Sequence, residues 1–309
     1  MKIVSLEPFL TELLVSFGLE ESVVGISARC AGSTALASRP RVTVTPGAGA
    51  IAGARYLDGI CEDLLDLGAV QALSADYLLC SLRGETEGSR RLLAAREKLS
   101  PLLAEGGRVL SYCPHTLEQV YESFERLGRD LGVVEKGHKL STRLKAQAMD
   151  WCDNFYERMK NKRVSFIASV EPLRLGGMWI PDLIDLASAQ SQSPCGGEEH
   201  PRVEWSDILN FRPDVIVVAP EGQSVQDSAR GFERFLSLPR WEEIPAVKRG
   251  EVYFAGGSSH FFRPGPELIE SVGILVSAIA GFESGYITPR ESFYKLRWLE
   301  LHRHRLQGI

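Results

Sequence analysis

The sequence predicts an α/β protein of two similar lobes joined by one long helix. Three observations carry this. Strand-like and helix-like segments alternate through both halves of the chain, the pattern of stacked α/β layers. Two apolar runs sit in matching contexts: residues 73–81 read LSADYLLCS and residues 211–219 read FRPDVIVVA. A continuous apolar run fits a parallel strand covered on both faces. Between the halves, Val134–Lys160 places Leu140, Leu144, Ala148, Trp151, Phe155 and Met159 on one stripe. That is one amphipathic helix of about 40 Å at ~1.5 Å per residue. The expected division is an N-terminal lobe over 1–132, a bridging helix over 133–160, a C-terminal lobe over 161–285 and a helical tail over 286–309.

The elements follow in order. Lys2–Leu6 is a strand, and Phe9–Phe17 a helix that ends at Gly18, a residue suited to the left-handed turn after a helix. Ser22–Ile26 and Arg41–Thr45 are strands, and residues 47–53 (GAGAIAG) a loop. Leu57–Leu67 reads as a helix stopped by Gly68. Asp76–Cys80 is a buried strand, Arg91–Ala104 a helix and Arg108–Tyr112 a strand. In Thr116–Leu131, Leu117, Val120, Tyr121, Phe124, Leu127 and Leu131 form one helical stripe.

The second half repeats the alternation. Arg163–Ser169 is a strand, and Ile180–Ala187 a helix opened by Pro181. Asp207–Asn210 is helical, Asp214–Ala219 a strand, Phe232–Leu236 a helix, Val252–Ala255 a strand and Glu267–Gly281 a helix. In the tail, Thr288 and Pro289 suit the start of a short helix. Phe293, Tyr294, Leu296, Trp298, Leu299 and Leu301 make the tail apolar enough to pack onto a lobe, with a partner-binding helix as the sharper alternative.

Composition narrows the function. At 309 residues and 44% hydrophobic content, each lobe is able to bury a core. A net charge of −5 and a pI near 5.8 lack the basic footprint of a nucleic-acid binder. No apolar run has transmembrane length, and the opening MKIVSLEP has no apolar stretch of signal-peptide type. A cytoplasmic monomer without membrane insertion is therefore expected. A longer true N-terminus would make it periplasmic or surface-attached. The six cysteines lack CxxC spacing and read as reduced, mostly buried thiols.

No catalytic motif is present: there is no GxSxG, HExxH, P-loop or post-strand GxGxxG. Glu198, Glu199 and His200 are adjacent in a loop and read as solvated rather than metal-binding. His302 and His304 cannot share a helix face. The better candidates lie on turns just after strands, where open α/β sheets hold ligands. They are residues 5–12, Arg29 and Cys30, Ser81 to Gly84, Tyr112 to His115, Ser169 to Glu171, Glu221 and Gly222, and His260 to Arg263. Trp179 is preceded by two glycines that permit a tight turn exposing the indole, beside the commoner outcome of a core Trp. Aromatics with a few Arg, His and Glu suit a bulky ligand with flat apolar and polar surfaces.

Lys2–Gly25 resembles the opening of the ABC-importer substrate-binding proteins for cobalamin, siderophores and haem. Ser5-Leu6, Pro8, Thr11-Glu12, Gly18-Leu19 and Val24-Gly25 carry the likeness. Residues 178–183 (MWIPDL), 211–219 and 263–266 (RPGP) resemble later motifs of the same proteins, in the same order, over about residues 1–282. The cobalamin-binding subgroup is the most similar. The resemblance implies two Rossmann-like lobes, a rigid bridging helix, an ABC permease partner, and a small molecule such as cobalamin or a related corrinoid bound reversibly between the lobes, with no catalysis and no resident cofactor or metal. It places Glu7, Pro8, Phe9, Arg29, Arg83 and His115 of the first lobe, and Trp179, Glu221, His260, Phe261, Phe262 and Arg263 of the second, at the ligand. Glu7, Phe9 and residues 260–262 are bulkier than the resemblance shows, which points to a ligand of this chain's own. A cytosolic enzyme or a ligand sensor on the same fold are the alternative readings.

Overall fold

The computed structural model describes residues 1–30, 34–44, 54–55, 64–82, 90–231, 235, 238–257, 260–282 and 293–295. The chain divides into two compact units: Met1–Pro114 with Glu122–Leu140, and His115–Tyr121 with Ser141–Ile309.

The first unit opens with β1 (Ile3–Ser5), α1 (Pro8–Ser16) and β2 (Val23–Ile26). Pro8 sits in the first turn of α1, where its missing N–H has no partner to lose. Next come β3 (Thr43–Val44), β4 (Ala54–Arg55), β5 (Leu64–Asp66) and α2 (Leu67–Leu73). After them follow β6 (Tyr77–Cys80), α3 (Arg90–Leu99) and β7 (Arg108–Ser111). The main sheet is parallel, in the order β2-β1-β6-β7, and β3, β5 and β4 make a small antiparallel sheet. Val4, Leu6, Leu78, Cys80 and Val109 meet Val70 and Leu99 in the core.

The helix expected over Leu57–Leu67 is corrected in its described part. Leu64–Asp66 is a strand, and the helix starts after it, with Gly68 in its first turn. Asp66 decides the boundary, since its Oδ1 accepts the Ala69 N–H at 2.9 Å and caps α2. Pro101 limits α3, which passes into a short 3₁₀ turn over Ser100–Leu102. The loop over 47–53 lies outside the described residues.

Two long helices follow. The first turn of α4 (Leu117–Asp130) belongs to the second unit and its remainder to the first. The 26 residues of α5 (Val134–Met159) divide at Leu140 between the first unit and the second. Leu140, Leu144, Ala148 and Met159 are buried, as the sequence stripe requires.

The second unit contains β8 (Arg163–Val170), β9 (Leu173–Leu175), α6 (Ile180–Leu186), β10 (Gln190–Ser191), α7 (Trp205–Phe211) and β11 (Val215–Val218). It continues through α8 (Val225–Gly231), α9 (Pro245–Arg249), β12 (Val252–Ala255), α10 (Leu268–Ala280) and β13 (Phe293–Lys295). The sheet order is β10-β8-β11-β12-β13, with β9 paired to β8. β10, β8, β11 and β12 run parallel, and β11 is buried along its whole length. Nearly every residue of α10 is buried too, as its all-round apolar sequence demands. Helix expected over Phe232–Leu236 falls mostly outside the described residues.

Of the tail, only Phe293–Lys295 lies among the described residues, and it is a strand antiparallel to β12 rather than helix. Phe293 is buried against Tyr253 at 5.8 Å between ring centroids, and Lys295 reaches the Glu251 carboxylate at 3.0 Å. Among the described residues no helix is long and apolar enough to cross a membrane.

Candidate functional site

In the first unit the strand-end loops after β1 and β2 are tied together under the surface. Thr11 Oγ1 lies 2.8 Å from Ser5 Oγ, 3.0 Å from the Glu7 carbonyl and 3.1 Å from Cys30 Sγ. Ser27 Oγ lies 3.2 Å from the same sulfur. Burial pushes the Cys30 thiol pKa up, against these hydrogen bonds, and the thiol packs in the core. Above this knot Glu7 is half-buried and Arg29 exposed. Pro8 and Phe9 are both buried, facing inward from the first turn of α1. Arg83 lies outside the described residues.

His115 follows β7 but makes its contacts with the second unit. Its Nδ1 lies 3.2 Å from the Gly197 carbonyl, and its backbone N–H donates to Gln119 Oε1 at 2.8 Å. Asp182 of α6 accepts the Leu117 N–H at 2.8 Å, capping α4 from another helix.

The second unit carries a cavity of about 940 Å³ at the carboxyl ends of β8 and β11. Ser169 lines it from β8 and Glu171 from the turn after it, and Pro220, Glu221 and Gln223 from the loop after β11. Arg174, His200, Asp227 and Arg230 complete its polar wall. The Asp227 pKa is held below the ordinary carboxylate value by the Ser224 hydroxyl and by Arg230, whose Nη1 is 3.1 Å away. Glu221 bridges to Gly257 in the loop after β12. A Cβ on Gly257 would meet the Pro220 carbonyl oxygen at 2.0 Å, so only glycine lets the two strand-end loops touch.

The loop from His260 to Arg263 is locked from below. Phe261 adopts φ 66°, a strained conformation for a bulky residue. Its N–H donates to Ser271 Oγ at 2.9 Å, and its carbonyl accepts the Trp179 Nε1–H at 2.7 Å. Its ring packs edge-on against Phe166 at 4.8 Å. Trp179 and Phe261 are 4% and 0% exposed and form the foundation of the loop. The glycines before Trp179 serve a close approach instead of exposing the indole. A Cβ on Gly177 would meet the Glu198 carbonyl at 2.5 Å.

Phe262, His260 and Arg263 stay half-buried at the surface of the loop. The His260 Nδ1 is 3.7 Å from Glu270 Oε2, too long for a hydrogen bond but close enough for an ion pair once the ring is protonated. Burial lowers the His260 pKa from 6.5, and Glu270 and Glu267 oppose the shift.

His200 is the residue that sequence reasoning missed. Its Nδ1 accepts the Gly177 N–H at 2.8 Å, its ring meets Phe262 at 5.3 Å, and its carbonyl accepts from Arg174 at 2.8 Å. The signal was the glycine pair at 176–177, which marks a place where another backbone passes. Among the described residues no group of His, Cys, Asp and Glu is arranged to hold a metal ion.

Two α/β units, each with parallel strands at the centre of its main sheet, and one long helix divided between them have the fold of the helical-backbone class of bilobed binding proteins. The chain belongs to the periplasmic binding protein family, whose model matches residues 88–258. Comparison with curated proteins by sequence finds no match. Solved structures share the fold. The vitamin B12 binding protein BtuF of Vibrio cholerae is 18% identical, with 90% of this chain and 96% of that one covered and a TM-score of 0.63. A heme binding protein from Pseudomonas aeruginosa is 19% identical, with 96% and 98% covered and a TM-score of 0.63. An ABC transporter substrate-binding protein from Listeria monocytogenes is 17% identical, with 90% and 97% covered and a TM-score of 0.67.

Proposed function

We propose that this chain binds a small molecule reversibly, as the substrate-binding protein of an ABC importer, and that the ligand is a corrinoid or a similar tetrapyrrole or metal chelate. The observation that carries the reading is the cavity at the ends of β8 and β11. At about 940 Å³ it is near the upper end of the ~300–1,000 Å³ usual for small-ligand sites, which favours a large ligand. It also stands where open α/β sheets receive ligands. Family membership supports binding as the activity, and the named relatives for vitamin B12 and heme support the ligand class.

Glu221 would meet the ligand in this cavity, with Phe262, His260 and Arg263 on the neighbouring loop. Glu7, Arg29, Arg83 and His115 remain ligand contacts of the proposal. An ABC permease is the proposed protein partner.

The test is titration of the purified chain with cyanocobalamin, hemin and a ferric hydroxamate chelate, followed by absorbance and calorimetry. Saturable one-to-one binding of one of them is expected. Absence of binding to all three at tens of micromolar overturns the reading.

A further inference from the structure

Arg174 in β9 and Arg202 in the segment before α7 stand opposite each other in an antiparallel bridge. The Leu175 N–H donates to the Pro201 carbonyl at 3.0 Å, and the Val203 N–H to the Leu173 carbonyl at 3.2 Å. Those two bonds flank the arginines and make them a non-hydrogen-bonded pair. This is the arrangement that brings opposed side chains closest, with Cβ atoms about 4.5–5.5 Å apart on one face. Like charges placed in this way are destabilising. A guanidinium does not lose its proton to relieve the repulsion. Among the described residues no carboxylate relieves it either: Arg163, Arg230, Arg240 and Arg249 have ion-pair partners, and Arg174 and Arg202 have none. Both arginines are exposed. Arg174 lines the cavity, and its Nη1 donates to the His200 carbonyl at 2.8 Å, which fixes one edge of the guanidinium.

We propose that Arg174 and Arg202 are an anion-recognition pair beside this cavity, taking a carboxylate or phosphate group of the ligand. The inference rests on the binding function proposed above and narrows it to a ligand with an anionic rim. Two forked donors of one sign match the paired oxygens of such a group, and its negative charge offsets the repulsion that the bridge builds in. Arg230 on the same cavity wall is already matched, by Asp227 at 3.1 Å.

Three measurements on the full chain test it. In NMR of the arginine Nε–Hε groups, citrate should shift the signals of Arg174 and Arg202 together and saturably, and leave that of Arg163, which Asp214 holds, in place. No shift at the pair, or equal shifts at every exposed arginine, overturns the proposal. The second measurement is titration of wild type and Arg202→Gln with three probes: hemin, which presents carboxylates, cyanocobalamin, which presents a phosphodiester, and ferrichrome, which presents neither. The variant should weaken whichever anionic probe the wild type binds by about fivefold or more, the worth of one charge-assisted contact, and ferrichrome by less than about twofold. The third is the Tm of Arg202→Gln, expected to equal or exceed wild type because the variant removes a like-charge pair. A lower Tm with unchanged affinity marks Arg202 as structural and overturns the proposal. Unchanged affinity for the anionic probes, or binding of ferrichrome alone, removes this inference and leaves the binding function standing. Binding of none of the three by the wild type removes the binding function, and the citrate titration then decides the arginine pair by itself.

Discussion

The indole N–H of Trp179 donates to the backbone carbonyl of Phe261 at 2.7 Å, joining the start of α6 to the loop before α10 inside the second unit. Both residues are buried, so this bond sits where water cannot replace it. Trp179→Phe keeps most of the apolar volume and leaves the Phe261 carbonyl without its donor. The expected cost is about 1–3 kcal/mol, read as a lower midpoint in urea unfolding with an unchanged slope. An unaltered midpoint would show that the carbonyl finds another partner.

Gly257→Ala tests the wall of the cavity. The new Cβ would stand 2.0 Å from the Pro220 carbonyl, a backbone atom that cannot rotate away. The loop after β11 must shift, and it carries Glu221 and Gln223. Loss of ligand binding, with a stability cost of about 1–3 kcal/mol, is expected. Gly222→Ala instead strains a φ of 77° without a clash, so it separates backbone strain from loop displacement.

His260 gives the second unit a sensitivity to acid. Burial favours the neutral ring, so its folded pKa lies below the unfolded 6.5. The unfolded chain then binds more protons than the folded chain as pH falls below 6.5. Stability from this group is complete above 6.5 and is lost as the pH drops toward the folded pKa. Denaturant midpoints at pH 7.5 and 5.5 should differ less in His260→Gln than in wild type. Equal differences would mean that another group carries the effect.

Asp76 and Asp214 predict losses of the same kind but different size in the two units. Asp76 Oδ2 accepts the Lys2 N–H at 2.7 Å and Asp214 Oδ2 the Arg163 N–H at 3.0 Å, each at the entry to a neighbouring strand. Burial raises the Asp214 pKa, but hydrogen bonds from Arg163 and Arg249 outweigh it and hold the carboxyl below its ordinary 3.8. Its contribution is therefore present above 3.8 and lost as pH falls through the folded value. Asp214→Asn should cost more than Asp76→Asn, because Arg249 also binds Asp214, at 2.6 Å. Thermal unfolding of the two variants checks the order.

This aspartate pair also shows how far the sequence was legible. The repeated context of residues 73–81 and 211–219 marks an inner strand, paired in parallel on both sides, of each main sheet. Both preceding helices end in a left-handed residue, Ser74 and Arg212, although neither is glycine. Strands such as Val215–Val218 declare themselves because burial on both faces demands an unbroken apolar run. Leu64–Asp66 and Phe293–Lys295 did not, since three residues are too few to carry a period. Their pairing partners, β3 with β4 and β12, made them strands.

Sequence alone determined the alternation of elements, the long helix Val134–Met159 and the strand-end turns, because each follows from local periodicity and from where glycine and proline punctuate it. Tertiary structure decided which side chains at those turns face outward. Trp179 and Phe261 carry the aromatic surface that a bulky ligand would want, yet a hydrogen bond and a positive φ turn them into the core. His200 looked like part of a solvated loop until Gly177 allowed a distant backbone to pass beside it. The physical reason is one of range. Hydrophobic period is written in neighbouring residues, whereas the backbone N–H that meets the His200 ring comes from a segment the local pattern never meets.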